Sequence, residues 1–524
     1  MNLRHYRIAG IFLLLAALHL FLYSRLPDAR RDNGWATIVM HNWHEYGVAA
    51  MDGQLVANPG GLDAGEEQFV YPGHRATFLY LPYVLKELPG AALGNGLLYD
   101  LTVLALTYAG LLWLLGTGLR GLLTASVVCL TPGFINNVVV VDTINVPALL
   151  GLAAMGFAGG CLARKETPWR MQAAAVLVAC LFMLQNWSTL FSLGVAATYV
   201  LCRRRDWWKV AGGFAPPLLV GLMVLMVSMH SRHTSGTSSG NFWNAYLWGP
   251  LGYDGTGMTF GKALVRITAV NVLAWLSVGL AGLALLRLNG LNATWRRAPW
   301  PLLAGIAAVF AMRNYNAHHP WGAISIIGLG LVFSLELLIH PEPRRIGRET
   351  WILCGMTAMA AAVYLIAWLA LDEYNKRGQT VLQTLVLRHT PRHSLMVVAN
   401  DLLPAGPVDP KRFSEPFDRK VVSLEDWTRQ AGELKSGGKP VFLVTHDVTP
   451  PAGATLIAES RTQTTWADRL MIPLFDFYRT KISRRASGDR KVYFDDYRLY
   501  ALERQIGEKH NSEPDNLARS ARHG

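Results

Sequence analysis

Long apolar runs separated by short polar segments dominate the first 371 residues of the chain. A helix needs about 20 mostly apolar residues to cross a hydrocarbon core of ~30 Å, and shorter runs can contribute when polar turns flank them. Eleven runs are candidate spans, so we expect an all-α polytopic membrane domain over residues 1–371. They cover residues 7–26, 95–119, 122–135, 143–162, 171–184, 190–202, 210–229, 263–286, 302–312, 321–339 and 351–371.

A long polar stretch follows the first apolar run and forms the first loop. Within it, Trp35, Val39, Trp43 and Tyr46 recur at helical spacing, which predicts an amphipathic helix. The short apolar segment 76–88 contains Lys86 and Glu87, so we expect it to lie at the membrane surface or to pack beneath the first loop.

The pattern becomes that of a soluble protein from Asp372 onward. Apolar or alternating segments at 394–399, 440–445 and 490–502 predict β-strands, with helical pattern between them. We therefore expect a small α/β soluble domain over residues 372–506, and a polar, disordered tail over 507–524.

Composition supports a membrane protein. The 524 residues are 51% hydrophobic and 16% charged, with a mean hydropathy of +0.23, which does not fit a soluble multidomain protein. Arg4 and Arg7 precede the first run, and Leu26-Pro27-Asp28 after it lacks a small-residue cleavage site, so we expect an uncleaved anchor. All five cysteines lie in or beside apolar runs without a CxxC spacing, so neither a disulfide framework nor a zinc site is predicted.

The net charge of +13 has a simple explanation in topology. Lys and Arg concentrate in alternate loops, and the positive-inside rule then places the N-terminus in the cytoplasm and the C-terminal domain outside an inner (plasma) membrane. Nucleic acid is not an expected partner, because the cations lie between apolar spans. The basic loop residues include Arg120, Arg164, Lys165, Arg170, Arg203, Arg204, Arg205, Lys209, Arg287, Arg296, Arg297, Arg344, Arg345 and Arg348.

This topology gathers four polar segments on the outer side, where they could share one cavity. They are the first loop, the turn with Asp142, the long loop 231–261 and the segment 313–319. Their order resembles that of the GT-C glycosyltransferases, membrane enzymes that use polyprenyl-phosphate sugars and include protein O-mannosyltransferases and lipid A aminoarabinose transferases. The resemblance covers the membrane part and is carried by Arg31-Asp32-Asn33-Gly34-Trp35-Ala36 to Glu45-Tyr46-Gly47, Tyr71-Pro72-Gly73-His74-Arg75, Asp142 within 131–147, and Asn316-Ala317-His318-His319-Pro320.

The resemblance implies roles for individual residues. Asp32 would be the catalytic base, since a carboxylate that accepts the acceptor's proton accelerates transfer by roughly 10²–10⁴-fold. Asp142, Glu45 and Asp28 would position the acceptor or the loop, with Asp28 the main competitor for the role of base. Cations would bind the phosphate of the donor. The candidates are His74, Arg75, Arg313, His318, His319, Lys262 and Arg266.

Each residue also has a simpler interpretation. Asp32 could cap the following helix, Asp142 could be a turn residue, and Lys262 and Arg266 could extend toward lipid headgroups. The histidine pair could be interfacial or part of an incomplete metal site. Many GT-C members have Asp-Glu where this chain has Asp32-Asn33, so no metal ligands are predicted, while a divalent cation stays open as an alternative.

The resemblance implies an inverting glycosyltransferase that moves a sugar from a polyprenyl-phosphate carrier to a glycan, lipid or protein acceptor, with membrane lipids as its other partners. Three alternatives stay open at this point. A non-catalytic membrane scaffold that presents the C-terminal domain would not need the acidic, aromatic first loop. A lipid-linked sugar flippase should show internal repeats and ionisable groups near the membrane midplane. An O-antigen polymerase or ligase should have its large loop late in the membrane region.

Overall fold

The computed structural model describes two compact units. Residues 1–380 with 464–488 form the first, and residues 381–463 with 489–524 form the second. Within them, the described residues are 3–25, 35–63, 65–70, 83–84, 97–130, 134–135, 159, 167–184, 189–203, 207–234, 260–291, 295–311, 320–339, 348–402, 410–429, 439–460, 466–477 and 496–502.

The described part of the first unit is mostly helical. Most of its helices begin and end within a few residues of the apolar runs. They are α1 (Leu3–Arg25), α2 (Trp35–Tyr46), α3 (Leu97–Leu115), α4 (Leu119–Cys129), α5 (Trp169–Met183), α6 (Thr189–Arg203), α7 (Trp207–Thr234), α8 (Phe260–Asn289), a 3₁₀ turn (Trp295–Arg297), α9 (Pro299–Ala311), α10 (Pro320–Leu338) and α11 (Arg348–His389).

The expected spans agree with these helices except in two places. Apart from Gly159, the run at 143–162 lies outside the described residues. Helix α11 continues to His389, so the expected domain boundary between 371 and 372 falls inside a helix, because its polar last turns keep the helical backbone. Of the described helices, two contain an 18-residue stretch apolar enough for a span, His5–Leu22 and Val210–Val227, so the expected number of eleven spans is not confirmed.

Glycines let helices α8, α9 and α10 approach closely. A Cβ atom on Gly330 of α10 would lie 2.6 Å from the Pro301 carbonyl oxygen of α9, and one on Gly305 of α9 would lie 2.9 Å from the Ile326 carbonyl oxygen of α10. A Cβ atom on Gly328 of α10 would overlap the indole side chain of Trp275 on α8. Small residues allow such backbone contact, which is the common way for helices to pack where lipid removes the hydrophobic driving force.

These contacts fix the directions of three helices. Helices α9 and α10 run antiparallel, and the Leu302 amide donates to Ser334 Oγ at 3.0 Å. Helices α8 and α10 run parallel. Trp275 on α8 faces Gly328 on α10, and Gly282, seven residues later on α8, faces Leu335, seven residues later on α10. A β-bridge joins Leu291 to Ile339 just beyond the ends of the two helices. Both relations agree with the alternation of spans expected from the sequence.

A buried group of charged and hydroxyl side chains joins α4, α6 and α10. Arg120 Nη2 lies 3.0 Å from Glu336 Oε1 and also donates to the Glu336 carbonyl oxygen. The hydroxyl of Tyr199 donates to Glu336 Oε2 at 2.9 Å, and Arg203 Nη1 donates to that hydroxyl at 2.8 Å. A buried carboxylate is costly unless it is paired, so these contacts hold the start of α4 and the ends of α6 and α10 together. Below, they are called the Glu336 cluster.

Large apolar side chains also cover much of the outside of the helical unit. Leu14 on α1 is 73% exposed, Met223 on α7 is 64% exposed and Val265 on α8 is 67% exposed. Water would disfavour so much apolar surface, whereas the hydrocarbon core of a membrane accommodates it. The surface therefore fits a bundle that contacts lipid.

The second unit contains the predicted α/β domain. Its elements are the end of α11, β1 (Leu395–Val398), α12 (Lys411–Phe417), β2 (Lys420–Ser423), α13 (Leu424–Arg429), β3 (Val441–Thr445), β4 (Ala454–Glu459) and β5 (Arg498–Leu502). The strands form one sheet in the order β2-β1-β3-β5-β4, in which β1 is parallel to β2 and β3, and β5 is antiparallel to β3 and β4. Apolar side chains alternate between two buried faces, one covered by α11 and α12 and the other by α13.

The strands expected from 394–399 and 440–445 are confirmed as β1 and β3, and the described end of 490–502 is β5. The sequence did not predict the edge strands β2 and β4. One more difference concerns α14 (Trp466–Phe477), which was expected in the soluble domain but belongs to the first unit, where Ala467 and Met471 pack against Ala370 of α11.

A buried arginine ties the start of this domain to the turn before β2. Arg419 Nη2 donates to the Thr390 carbonyl oxygen at 2.7 Å, and Arg419 Nη1 donates to the Asp418 carbonyl oxygen at 2.9 Å. Burial lowers the pKa of Arg419 to about 10, against the opposing effect of the Asp418 carboxylate. The guanidinium therefore stays charged near neutral pH and can keep donating these bonds.

The close approach of α9 and α10 leads to a first prediction. Replacing Gly330 with Ala should lower the melting temperature of the detergent-solubilised protein, because overpacking costs about 1–3 kcal/mol. Gly279→Ala is the matched control, since a Cβ there meets nothing within 4 Å and Ala favours a helix by ~1 kcal/mol. Equal melting temperatures for the two variants would contradict the contact.

The Glu336 cluster leads to a second prediction. Glu336→Leu should destabilise the protein by up to about 3–5 kcal/mol, because it removes the carboxylate that pairs with the partly buried Arg120. Adding Arg120→Met should restore part of that loss, which a double-mutant cycle of unfolding in detergent can measure. Strictly additive losses would mean that the two side chains do not interact.

Candidate functional site

The described part of the first loop is a folded structure built on α2. The helix ends at Gly47, whose φ of +86° suits a residue without a Cβ, and the Gly47 amide donates to the Trp43 carbonyl oxygen at 2.9 Å. The chain then turns back along the helix. A β-bridge between Val56 and Val70 closes the returning segment.

Polar side chains of α2 hold this returning segment in place. Asn42 is fully buried, and its Nδ2 donates to the Val56 carbonyl oxygen at 2.8 Å. Trp43 Nε1 donates to the Gln54 carbonyl oxygen at 2.9 Å, and the Leu62 amide donates to the Tyr46 hydroxyl at 2.9 Å. The main chain is thus attached to one helix at Gln54, Val56 and Leu62, so this part of the loop has a defined conformation.

The apolar side of α2 is covered by protein. Ile38, Val39 and Trp43 are at most 1% exposed, and the returning segment packs against Val39 and Trp43. The ring of Tyr83 lies edge-on to Trp43, with 5.6 Å between centroids. This contact supports the expectation that segment 76–88 packs beneath the first loop, at least at Tyr83. The stripe predicted from the sequence is real, and it forms the core of the loop.

The predicted acids of this loop are only partly described. Glu45 lies in the last turn of α2 and is exposed. Asp28 and Asp32 lie outside the described residues, and Asp32 precedes the first residue of α2 by three positions. Neither the capping role nor the catalytic role of Asp32 is tested by these contacts.

The other predicted residues fall mostly outside the described part of the chain. Lys262 and Arg266 lie in the first two turns of α8, with side chains outside the description. The remainder of the set lies outside the described residues, with Arg313, His318 and His319 between the end of α9 and the start of α10. It comprises His74, Arg75, Asp142, Arg313, His318 and His319.

Four helix ends close to these residues in the sequence lie on one side of the bundle. His19, near the end of α1, lies 3.4 Å from the carbonyl oxygen of Cys129 at the end of α4, so α1 and α4 end together. Arg120 and Glu336 make α4 antiparallel to α10, and α8 is parallel to α10. The ends of α1 and α4 and the starts of α8 and α10 therefore share one side, opposite the Glu336 cluster.

Asp100 is an acid on this side that the sequence analysis missed. It lies in the first turn of α3 and is 3% exposed. Helix α3 joins α4 through a short turn at 116–118, so its start lies at the same end as the end of α4. A carboxylate at a helix start is favoured by the helix dipole. The sequence feature that could have identified Asp100 is that it is an acid near the start of the apolar run 95–119.

A second polar group that the sequence missed lies in the α/β domain. It follows the carboxyl ends of the neighbouring parallel strands β1 and β3, where Asp401 accepts hydrogen bonds from Thr445 Oγ1 at 2.9 Å and from the Val448 amide at 2.7 Å. His446 Nδ1 lies 2.7 Å from the Asp496 carbonyl oxygen. These bonds are internal and shape the turn after β3. Among the described residues, no group of three His, Cys, Asp or Glu side chains is arranged to hold a metal ion.

No protein-family model and no curated protein matches the sequence. The solved structures that are similar to the chain include AftD and ArnT. Arabinofuranosyltransferase AftD from Mycobacteria matches 94% of this chain with 15% identity and a TM-score of 0.42, and the match spans only 41% of AftD. ArnT from Cupriavidus metallidurans matches 96% of this chain, over 99% of its own length, with 13% identity and a TM-score of 0.35.

The first of these proteins is named as an arabinofuranosyltransferase, and the second is bound to undecaprenyl phosphate.

Proposed function

We propose that the chain is an inverting glycosyltransferase that takes a sugar from a polyprenyl phosphate at the outer face of the membrane. One observation carries the proposal: the described ends of α1 and α4 and the starts of α8 and α10 share one side of the bundle. In the sequence, Lys262 and His319 lie at the starts of α8 and α10, and Asp32 and Asp142 lie in the segments that follow α1 and α4. The resemblance implies a catalytic base at Asp32 and a phosphate-binding cation at His319, and Lys262 is a further candidate cation.

The proposed reaction needs one base and several cations. The acceptor hydroxyl attacks the anomeric carbon of the sugar, and Asp32 takes its proton as the new bond forms. The bond between the anomeric carbon and the phosphate oxygen breaks at the same time, and the lipid phosphate leaves with the electron pair. Arg75, Arg313 and His318 stabilise the negative charge that collects on the leaving group.

The folded first loop supports this assignment of the base. A base must be held within hydrogen-bond reach of the proton that it removes, and small displacements lower the rate strongly. Helix α2 begins three residues after Asp32 and is anchored by buried Asn42 and Trp43. A carboxylate close to such an anchored helix can be oriented without support from the lipid.

The donor and acceptor are proposed as classes. The donor class, the polyprenyl phosphates, includes undecaprenyl phosphate, the lipid bound to ArnT. The acceptor is a hydroxyl of a glycan, a lipid or a protein. The α/β domain, placed outside by the charge distribution in the sequence, is proposed to help hold that acceptor.

Replacing Asp32 with Asn tests the base. The variant should insert normally and should lose transfer from a radiolabelled polyprenyl-phosphate sugar by roughly 10²–10⁴-fold, because the amide cannot accept the proton. Asp28→Asn and Glu45→Gln remove neighbouring acids of the same loop and serve as controls with smaller losses. Transfer at the wild-type rate by a well-folded Asp32→Asn protein would eliminate Asp32 as the base.

Replacing Arg313 with Gln tests the proposed binding of the donor phosphate. The apparent KM for the donor should rise by roughly 10–100-fold, the loss expected for a hydrogen bond to a charged group at about 1.5–3 kcal/mol. Arg287→Gln is the control, because Arg287 is exposed in the last turn of α8, on the opposite side of the bundle. An equal change in both variants would point to a general effect of charge instead of a donor contact.

A further inference from the structure

An open groove runs between α5 and α7. Its volume is about 550 Å³, and its lining includes Trp169, Val176, Leu177 and Cys180 on α5, Gly212 and Gly213 on α7, and one polar side chain, Gln172. The two helices run parallel, because Trp169 and Gly212 line the same groove near the helix starts and Gly221 faces Met183 further along. The groove thus follows the helix axes.

The dimensions and lining of the groove suit a hydrocarbon chain. From Trp169 to Cys180 the helix rises ~16 Å, about half of a hydrocarbon core of ~30 Å. A Cβ added to Gly212 would meet nothing within 4 Å, so this part of the groove is open among the described residues. Leu177 beside it is 61% exposed. One acyl chain of a single membrane leaflet has the matching length and polarity.

A cation lies at one end of the groove. Arg170 is exposed, and its guanidinium lies 5.8 Å from the ring centroid of Trp169, which lines the groove. Such stacking holds the charge beside the apolar wall, where a lipid phosphate would meet it. The charge distribution in the sequence assigns this end to the cytoplasm. The charge therefore complements an anionic headgroup of the inner leaflet.

The position of the groove distinguishes its occupant from the proposed donor. Helix α7 is antiparallel to α6, because Gly221 faces Leu190, and α6 ends beside Glu336 together with α10. The starts of α5 and α7, including Arg170, thus lie on the side of the Glu336 cluster. The donor phosphate is proposed on the opposite side.

We propose that this groove is a lipid-binding site that holds one acyl chain of an anionic phospholipid of the cytoplasmic leaflet, with its phosphate beside Arg170. The proposal rests on the membrane arrangement given under the proposed function, and it does not depend on the transfer reaction. The bound lipid would fill the space between α5 and α7 and complete the packing of these helices in the membrane.

Native mass spectrometry of the full chain in detergent, titrated with phosphatidylglycerol or phosphatidylethanolamine, tests the site. The wild-type protein should bind one phosphatidylglycerol in preference to phosphatidylethanolamine. Gly212→Leu should abolish that binding by filling the groove. Gly279→Leu should retain it, because Gly279 on α8 is equally open but does not line the groove.

The headgroup contact has its own matched pair of variants. Arg170→Gln should reduce the preference for phosphatidylglycerol by about fivefold, the factor expected for one basic side chain near an anionic surface. Arg296→Gln should leave the preference unchanged, although it removes a similar pair, in which Arg296 lies 5.6 Å from the ring of Trp295 away from the groove.

The outcomes separate this proposal from the proposed function. Asp32→Asn should bind phosphatidylglycerol as the wild type does while losing transfer. Equal lipid binding by the Gly212→Leu and Gly279→Leu proteins would overturn the groove site. A preference for undecaprenyl phosphate over phosphatidylglycerol that Gly212→Leu removes would overturn the assignment of the occupant. Neither result would bear on Asp32.

Discussion

The buried carboxylate of Glu336 constrains the helical unit more than any other described side chain. A carboxylate removed from water is stable only with partners, and here Arg120 and Tyr199 supply them from two other helices. The pairing requires α4 to begin where α6 and α10 end. Once that side is fixed, the antiparallel contact of α9 and the parallel contact of α8 with α10 orient five helices, and the opposite ends must gather on the other side.

Much of the fold could be predicted from the sequence, because runs of apolar residues indicate helices without knowledge of distant contacts. The runs at 190–202 and 321–339 correspond to α6 and α10, with each end shifted by one residue. The boundary at 371 could not be predicted in this way, since α11 continues through polar residues that are compatible with a helix. The strands β2 and β4 were missed for a related reason: short edge strands carry little apolar pattern, and β4 is largely exposed.

The candidate site was less accessible from the sequence, because it depends on contacts between distant residues. Charge and residue type identified Asp32 and the cations as candidates, but no local pattern reveals that Glu336 pairs with Tyr199 across 137 positions. The first loop contains one feature that the sequence predicted and one that it did not. The stripe with Val39 and Trp43 was visible in the sequence, whereas the partner of that stripe turned out to be the returning segment of the same loop and not lipid.

The order of synthesis gives the Glu336 cluster a further consequence. Arg120, Tyr199 and Arg203 precede Glu336 along the chain, so the ribosome delivers two cations and a phenol before it delivers the acid. Until α10 emerges, those side chains need water, headgroups or a chaperone as temporary neighbours. Once α10 is in place, Glu336 pairs with Arg120 and Tyr199. A chain truncated before α10 would keep its basic residues without their acid, even when every earlier helix has inserted.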